Sequence, residues 1–259
     1  MDVIRSIGNI PAGQRCAVVT IGNFDGIHLG HQLIFRRLSE EARRENCPAV
    51  VISFEPHPKM ILHPERRPFY LLTSMEEKIR LLADLGMDTL ILIPFTLDYA
   101  RTTAEEFVRG VLWEKLHIRK IIIGHDYTFG RGKEGNEAFL TALGGKLGFG
   151  VEVMNAVKVG ETTVSSTRIR EALLAGEVGF AATLLGRPYN LSGCVVPGHR
   201  RGARLGFPTA NIEPDKELAP PPGVYAVRVL FAGSRHPGVL SIGFNPTFAD
   251  RKLSIEVHI

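Results

Sequence analysis

His28 and His31 stand three residues apart at the end of Gly22-Asn23-Phe24-Asp25-Gly26-Ile27-His28-Leu29-Gly30-His31, a glycine-rich run that follows an apolar segment and leads into a helical pattern. A turn of this kind aims backbone N–H groups and the positive end of a helix at an anion, and glycine permits a phosphate to come close. Two imidazoles at the helix entrance can donate hydrogen bonds to a triphosphate and to the charge that builds on departing pyrophosphate. Taken alone, His-x-x-His is also compatible with two helix-capping histidines or with half of a metal site. The zinc reading is disfavoured because no cysteine pair or Glu-x-x-His partner accompanies it.

A second polar constellation is Val164-Ser165-Ser166-Thr167-Arg168-Ile169-Arg170, where hydroxyls precede a helical pattern and two arginines fall in its first turns. Hydroxyls, backbone donors and guanidinium forks suit phosphate oxygens. A serine cap followed by surface arginines is the plainer alternative. The third is Gly198 to Asn211, in which three glycines (Gly198, Gly202, Gly206) and three arginines precede Pro208-Thr209-Ala210-Asn211. It can fold around anionic oxygens, or stand as an exposed basic hairpin. It is not a Walker loop, since Gly-Lys-Ser/Thr is absent. Gly130-Arg131-Gly132-Lys133-Glu134-Gly135 satisfies Gly-x-Gly-x-x-Gly, but it lies after the fourth strand, behind several polar residues, and reads as a mobile loop and not a dinucleotide fingerprint.

The elements that must hold these residues follow from the apolar pattern. Ala17–Ile21, Ala49–Phe54, Thr89–Ile93 and Lys120–Ile123 are short runs rich in Val and Ile, as in strands buried on both faces. A helix starting near Gly30 carries His31, Ile34, Phe35, Leu38 and Ala42 on one face. Ser74 with Glu77 and Thr103 with Glu106 have the form of capping boxes, and Gly86 closes the first of those helices. Alternating strands and helices predict an α/β unit with a Rossmann-like parallel sheet and ligands at the carboxyl ends of its strands. From Tyr189 the helical stripes stop. Cys194–Val196, Val224–Leu230, Gly238–Ile242 and Leu253–Ile259 predict a small all-β module, a β-barrel. Leu185-Gly186-Arg187-Pro188 is the expected hinge, dividing the chain into 1–186 and 187–259.

These motifs together resemble a known family. Gly22 to Gln32 resembles the His-x-Gly-His signature of the nucleotidyltransferase superfamily in its FAD synthetase form. Val164–Arg170 resembles that superfamily's Ile-Ser-Ser-Thr-x-x-Arg signature, and Gly198–Asn211 is similar to the riboflavin kinase signature. The resemblance implies a bifunctional enzyme that uses ATP and Mg2+ to phosphorylate riboflavin to FMN and then to adenylylate FMN to FAD. By resemblance His28, His31 and Arg170 serve adenylyl transfer. Gly22, Asn23, Phe24, Gly30, Ser166, Thr167 and Arg168 bind nucleotide, with Asp126 in Gly124-His125-Asp126-Tyr127-Thr128-Phe129-Gly130. That last segment is usually richer in Phe and Arg, so His125, Tyr127 and Thr128 depart from the pattern. Phe54, Pro56 and Phe129 are the expected flavin residues. In the kinase module Gly198, Gly202 and Gly206 form a nucleotide arch, and Thr209 and Asn211 hold magnesium. Glu256 is the general base, in Glu256-Val257-His258-Ile259 after Gly243-Phe244-Asn245-Pro246-Thr247-Phe248.

Whole-chain properties agree. Among 259 residues, 31 basic and 27 acidic side chains leave a net charge of +4, suited to anionic small molecules without a basic block for nucleic acid. A basic RNA-binding protein using the arginine-rich loop, and an adenylyltransferase with an inactive kinase remnant, are the alternatives. The three cysteines, Cys16, Cys47 and Cys194, define neither a disulfide framework nor a zinc spacing, and a reducing cytoplasm is expected. No apolar signal core or membrane-length run is present, so neither a leader nor a membrane span is expected. The sequence stops at Ile259, where members of the resembled family continue. An incomplete kinase module, with an unpaired strand edge open to self-association, is therefore expected.

Overall fold

The computed structural model describes residues 1–11, 16–66, 68–198, 207–244 and 253–259. In chain order the first half contains β1 (Asp2–Ile4), β2 (Ala17–Ile21), α1 (Leu29–Glu45), β3 (Ala49–Glu55), α2 (Pro58–Leu62) and α3 (Met75–Asp84). It continues with β4 (Thr89–Pro94), α4 (Ala104–Phe107, running into a π-helical turn at Val108–Trp113), β5 (Ile118–Gly124), α5 (Glu137–Leu147) and β6 (Gly150–Met154). A two-strand ribbon, β7 (Lys158–Val159) and β8 (Thr162–Thr163), precedes α6 (Ser166–Leu174) and α7 (Val178–Leu185). Then come β9 (Gly193–Val196), β10 (Ala210–Pro214), β11 (Gly223–Phe231), β12 (Ser234–Phe244) and β13 (Leu253–His258). The chain forms two compact units, one of Met1–Phe69 with Met75–Ser166 and one of Tyr70–Ser74 with Thr167–Ile259.

The first unit is built on a six-stranded parallel sheet in the order β1-β4-β3-β2-β5-β6. Its central strands are mostly apolar because both faces are covered. Val19, Ile21, Val50, Ile52, Ile91 and Ile123 pack on one side with Phe107, Leu112 and Leu140. Val18, Val51, Leu90, Leu92 and Ile122 pack on the other with Phe35 and Leu38 of α1 and Leu82 of α3. The one polar side chain inside β2, Thr20, donates to the carbonyl of Ile122 at 2.7 Å, which removes the cost of burying its hydroxyl. All four expected strands and the stripe of α1 are present. Thr103 and Glu106 form both halves of a capping box, and Gly86 follows α3 with φ +76°. The outer strands β1 and β6 were not expected; each is short, and β1 has only three residues.

The second unit carries a five-stranded antiparallel sheet, in the order β11-β12-β13-β10-β9. The all-β expectation holds for this module, and β10 is an additional strand inside the stretch read as a motif. Among the described residues no pairing joins β11 to β9, so barrel closure is not part of the described sheet. One expectation is corrected. Cys16 and Cys47, 31 residues apart, are joined by a disulfide with their Cα atoms 5.5 Å apart, and Cys194 is free and exposed. Folding α1 back along β2 brings the residue before the strand beside the residue after the helix cap, a proximity no spacing rule contains. Among the described residues, no helix is long and apolar enough to cross a membrane.

Candidate functional site

β2 ends in the glycine-rich turn, at the carboxyl edge of the sheet. Phe24 and Ile27 have φ of +46° and +41°, a region costly for residues with a Cβ, and Gly26 has φ +88°. Backbone strain of this kind gathers at ligand-binding turns. Both side chains are buried, Phe24 against Phe35, so the apolar core holds the unfavourable backbone in place. A Cβ on Gly22 would approach the Phe24 ring to 2.9 Å, and one on Gly30 would approach the His28 ring to 3.2 Å. A side chain at Gly22 would make the Phe24 ring shift, and one at Gly30 would press on the His28 ring.

His28 is the N-cap of α1, its Nδ1 accepting from the backbone N–H of His31 at 3.4 Å. That bond assigns the imidazole proton to Nε2. The two rings stack with centroids 3.6 Å apart, and Phe24 lies edge-on to His31. Nδ1 of His31 is buried with no hydrogen-bond partner among the described residues. Burial, then the neighbouring His28 and Lys78, hold the His31 pKa well below the ordinary 6.5. The stacked pair is thus preorganised at a helix N-terminus, with His31 disfavoured from taking a second proton.

The second signature begins beside this turn. Ser166, the first residue of α6, donates its hydroxyl to the carbonyl of Asp25 at 2.8 Å. The carbonyl of Asn23 accepts from Ser53 Oγ at 3.3 Å and from Lys78 Nζ at 2.8 Å. Thr167, Arg168 and Arg170 follow along α6 within the second unit. There Arg170 Nε donates to the Tyr70 carbonyl at 2.6 Å. Arg168 pairs with Glu171 at 3.3 Å and covers the Phe180 ring.

The expected flavin residues join an aromatic array at the carboxyl edge. Phe54, at the end of β3, lies 5.6 Å from Phe95 and 6.3 Å from Tyr99. Phe129 stacks on Tyr127 at 5.5 Å and contacts Phe107 and Phe139. Pro56 follows Phe54 by two residues, directly before the cap of α2. The hydroxyls of Tyr99 and Tyr127 are buried with no partner among the described residues, and burial raises both pKa values. Tyr99 was not singled out from sequence, and Tyr127 only as a departure from the family pattern, because an aromatic beside a core pattern carries no sign of an orphaned hydroxyl. Asp126 lies outside the array, with His125, Tyr127, Thr128, Asn136 and Glu137, on an open cavity of about 720 Å3.

Gly130–Gly135 is held by contacts of its own and by the start of α4. Phe129 and Gly135 bridge each other, Arg131 N–H donates to Thr102 O at 2.9 Å, and Glu134 accepts from Ala104 N–H at 2.8 Å. The loop expected to be loose is tied to the start of α4.

In the second unit the kinase residues converge. Asn211 of β10 pairs in register with Glu256 of β13. The Thr209 hydroxyl donates to Glu256 Oε2 at 2.9 Å, and Ser254 donates to Oε1 at 3.1 Å. The Asn211 amide occupies the space where a Cβ on Gly198 would fall. His258 holds the approach to Thr209: its Nδ1 donates to the carbonyl of Pro208 at 2.7 Å, and its ring meets Phe207 edge-on. Hydroxyl, amide and carboxylate oxygens at one strand end are hard donors of the kind magnesium takes beside nucleotide phosphates. Gly202, Gly206 and Asn245–Phe248 lie outside the described residues.

A strained glycine-rich turn on a parallel sheet, a buried histidine pair at a helix N-terminus and a separate antiparallel module with clustered oxygen donors define a nucleotide-handling α/β transferase. The FAD synthetase family model matches residues 10–168, and the riboflavin kinase model matches residues 185–259. Over 261 residues the chain is 39% identical to the bifunctional riboflavin kinase/FMN adenylyltransferase of Escherichia coli K12, spanning 100% of this chain and 83% of that protein. The protein of the same description from Pseudomonas fluorescens is 37% identical over 260 residues, again spanning 100% of this chain and 83% of the relative. A solved structure described as a macrolide-efflux protein from Streptococcus pneumoniae superposes with a TM-score of 0.86 at 34% identity, covering 99% of this chain and 83% of that one. The chain belongs to the FAD synthetase family and carries a riboflavin kinase module.

Proposed function

We propose that the chain makes FAD from riboflavin in two ATP-dependent steps, with residues 187–259 phosphorylating riboflavin and residues 1–186 adenylylating the FMN formed. The observation that carries the second step is the stacked pair of His28 and His31 at the start of α1, at the end of the strained glycine-rich turn. The FMN phosphate attacks the α-phosphorus of ATP and pyrophosphate leaves. No covalent enzyme intermediate is required. The histidines, the N–H groups from Gly22 to Gly30, and Ser166, Thr167, Arg168 and Arg170 bind the phosphates and meet the charge that spreads over them. Phe54, Pro56 and Phe129 receive the flavin ring, the unpartnered hydroxyls of Tyr99 and Tyr127 suit its polar edge, and Asp126 contacts nucleotide.

In the first step Glu256 accepts the proton of the ribityl 5′-hydroxyl as that oxygen attacks the γ-phosphate. The Thr209 hydroxyl bond keeps the carboxylate oriented. Thr209 and Asn211 would hold Mg2+, which when bound offsets the negative charge of the nucleotide phosphates. Gly198, Gly202 and Gly206 are the nucleotide-binding glycines of this reading. ATP, riboflavin, FMN and FAD are the small-molecule partners of this reading, without nucleic acid or membrane, and the cytoplasm is its compartment.

The test is product analysis by chromatography after incubating the chain with Mg-ATP and either riboflavin or FMN. FAD from both substrates is expected. FAD from FMN alone would leave the kinase module inactive, and no FAD from either would overturn the reading.

A further inference from the structure

Lys78 is a charged residue on the buried stripe of a helix. In α3, Met75, Lys78, Ile79 and Leu82 recur at the spacing of one face, and Lys78 is only 7% exposed. A lysine is rarely buried to this degree without a specific partner. Its ammonium reaches across to the phosphate-facing turn and donates to the Asn23 carbonyl at 2.8 Å. That is the same carbonyl Ser53 of β3 touches, so turn, strand and helix meet at one oxygen. Burial lowers the Lys78 pKa from its ordinary value, while Asp25 of the turn and Glu55 at the end of β3 favour the charged form. The Lys78 charge also acts on His31, together with His28, and the edge of Phe24 meets the His31 ring.

We propose that Lys78 is a positioning residue for adenylyl transfer: a buried ammonium that pins the Gly22–His31 turn through Asn23 and sets a fixed positive charge beside the histidine pair. The inference rests on the adenylyltransferase reading above. The turn contains two residues with a Cβ at positive φ, a geometry that persists only where its surroundings over-determine it. A lysine bond to the carbonyl between Gly22 and Phe24 is such a restraint. The positive charge also disfavours a second proton on His31, which burial already opposes.

The test compares the full chain with Lys78→Met, which removes donor and charge, and Lys78→Gln, which keeps an N–H donor and removes the charge. Three quantities are read: circular dichroism for folding, kcat and KM for FAD formation from FMN and Mg-ATP, and the His31 titration by NMR. In both variants kcat is expected to fall, by roughly 100-fold in Lys78→Met, the scale of a small misplacement of reacting groups. KM for FMN is expected to change far less, and the His31 titration to move to higher pH. A folded Lys78→Met with kcat within about threefold of the parent, or an unmoved His31 titration, would overturn the proposal. Loss of folding in both variants would also overturn it, in favour of a purely structural lysine. If the parent chain makes no FAD, the functional reading fails on its own, while the His31 titration still decides whether Lys78 acts on that ring.

Discussion

His31 is at the centre of the proposed adenylyl transfer, and its environment makes two outcomes measurable. In the proposed role it donates to the charge that develops on the phosphates, so His31→Ala is expected to lower FAD formation from FMN by about 10²–10³-fold. FMN formation from riboflavin by the same preparation should be unchanged. The second outcome concerns stability. The folded His31 pKa lies below 6.5, the value of an unhindered histidine, chiefly because the ring is buried. Between those two values the unfolded chain holds the extra proton, so the contribution is complete above about pH 6.5 and is lost as pH falls toward the folded value. Urea midpoints measured from pH 7.5 to 5.5 should therefore fall more steeply for the parent chain than for His31→Gln. Equal slopes would assign the acid sensitivity to other groups.

Among elements, α1 links the core to the chemistry. Its inner face inserts Phe35 and Leu38, both fully buried, against the sheet, while its first turn carries the histidines. Phe35→Ala should cost about 3–5 kcal/mol in chemical denaturation, since the space it leaves is walled by a rigid sheet and by Phe24. Its outer flank is held by charge. Glu41, with its side chain 2% exposed, accepts from Lys120 of β5 at 2.9 Å, and Glu152 of β6 accepts from Arg37 at 2.6 Å and from Lys120 at 3.1 Å. Glu41→Ala should destabilise by about 2 kcal/mol, the scale of one buried charge-assisted hydrogen bond. Gly30→Ala tests the other end. The added methyl meets the His28 ring at 3.2 Å, so adenylyl transfer should decline more than stability does.

For the whole molecule, two compact units, each with its own proposed catalytic group, predict separable activities. Glu256→Gln should abolish FMN formation and retain FAD formation from FMN, the converse of His31→Ala. Mixing the two variants with riboflavin and Mg-ATP should restore FAD, because FMN released by one chain is a substrate for the other. Failure of the mixture, with each partial activity intact, would mean that FMN does not pass through solution.

Much of this was legible in the sequence because it depends on local rules. Buried strands in a parallel sheet are written as unbroken Val and Ile runs, α1 as a 3.6-residue stripe, and the phosphate turn as glycines followed by histidines. The β1 and β6 edges were not legible, since short outer strands lack the two-sided burial that marks central ones. Nor were Lys78, Tyr99 and Tyr127, whose interest lies in what surrounds them. A lysine or a tyrosine hydroxyl has no meaning in sequence until packing removes its water. The same holds for Cys16 and Cys47, brought together only when α1 folds back along β2. Residue type and spacing thus determined the family, the alternation of elements and the two signatures. Tertiary structure decided which nitrogen of the pair is buried without a partner among the described residues, which carbonyl is pinned and which charges share a neighbour, because desolvation and Coulomb interaction act through space and not along the chain.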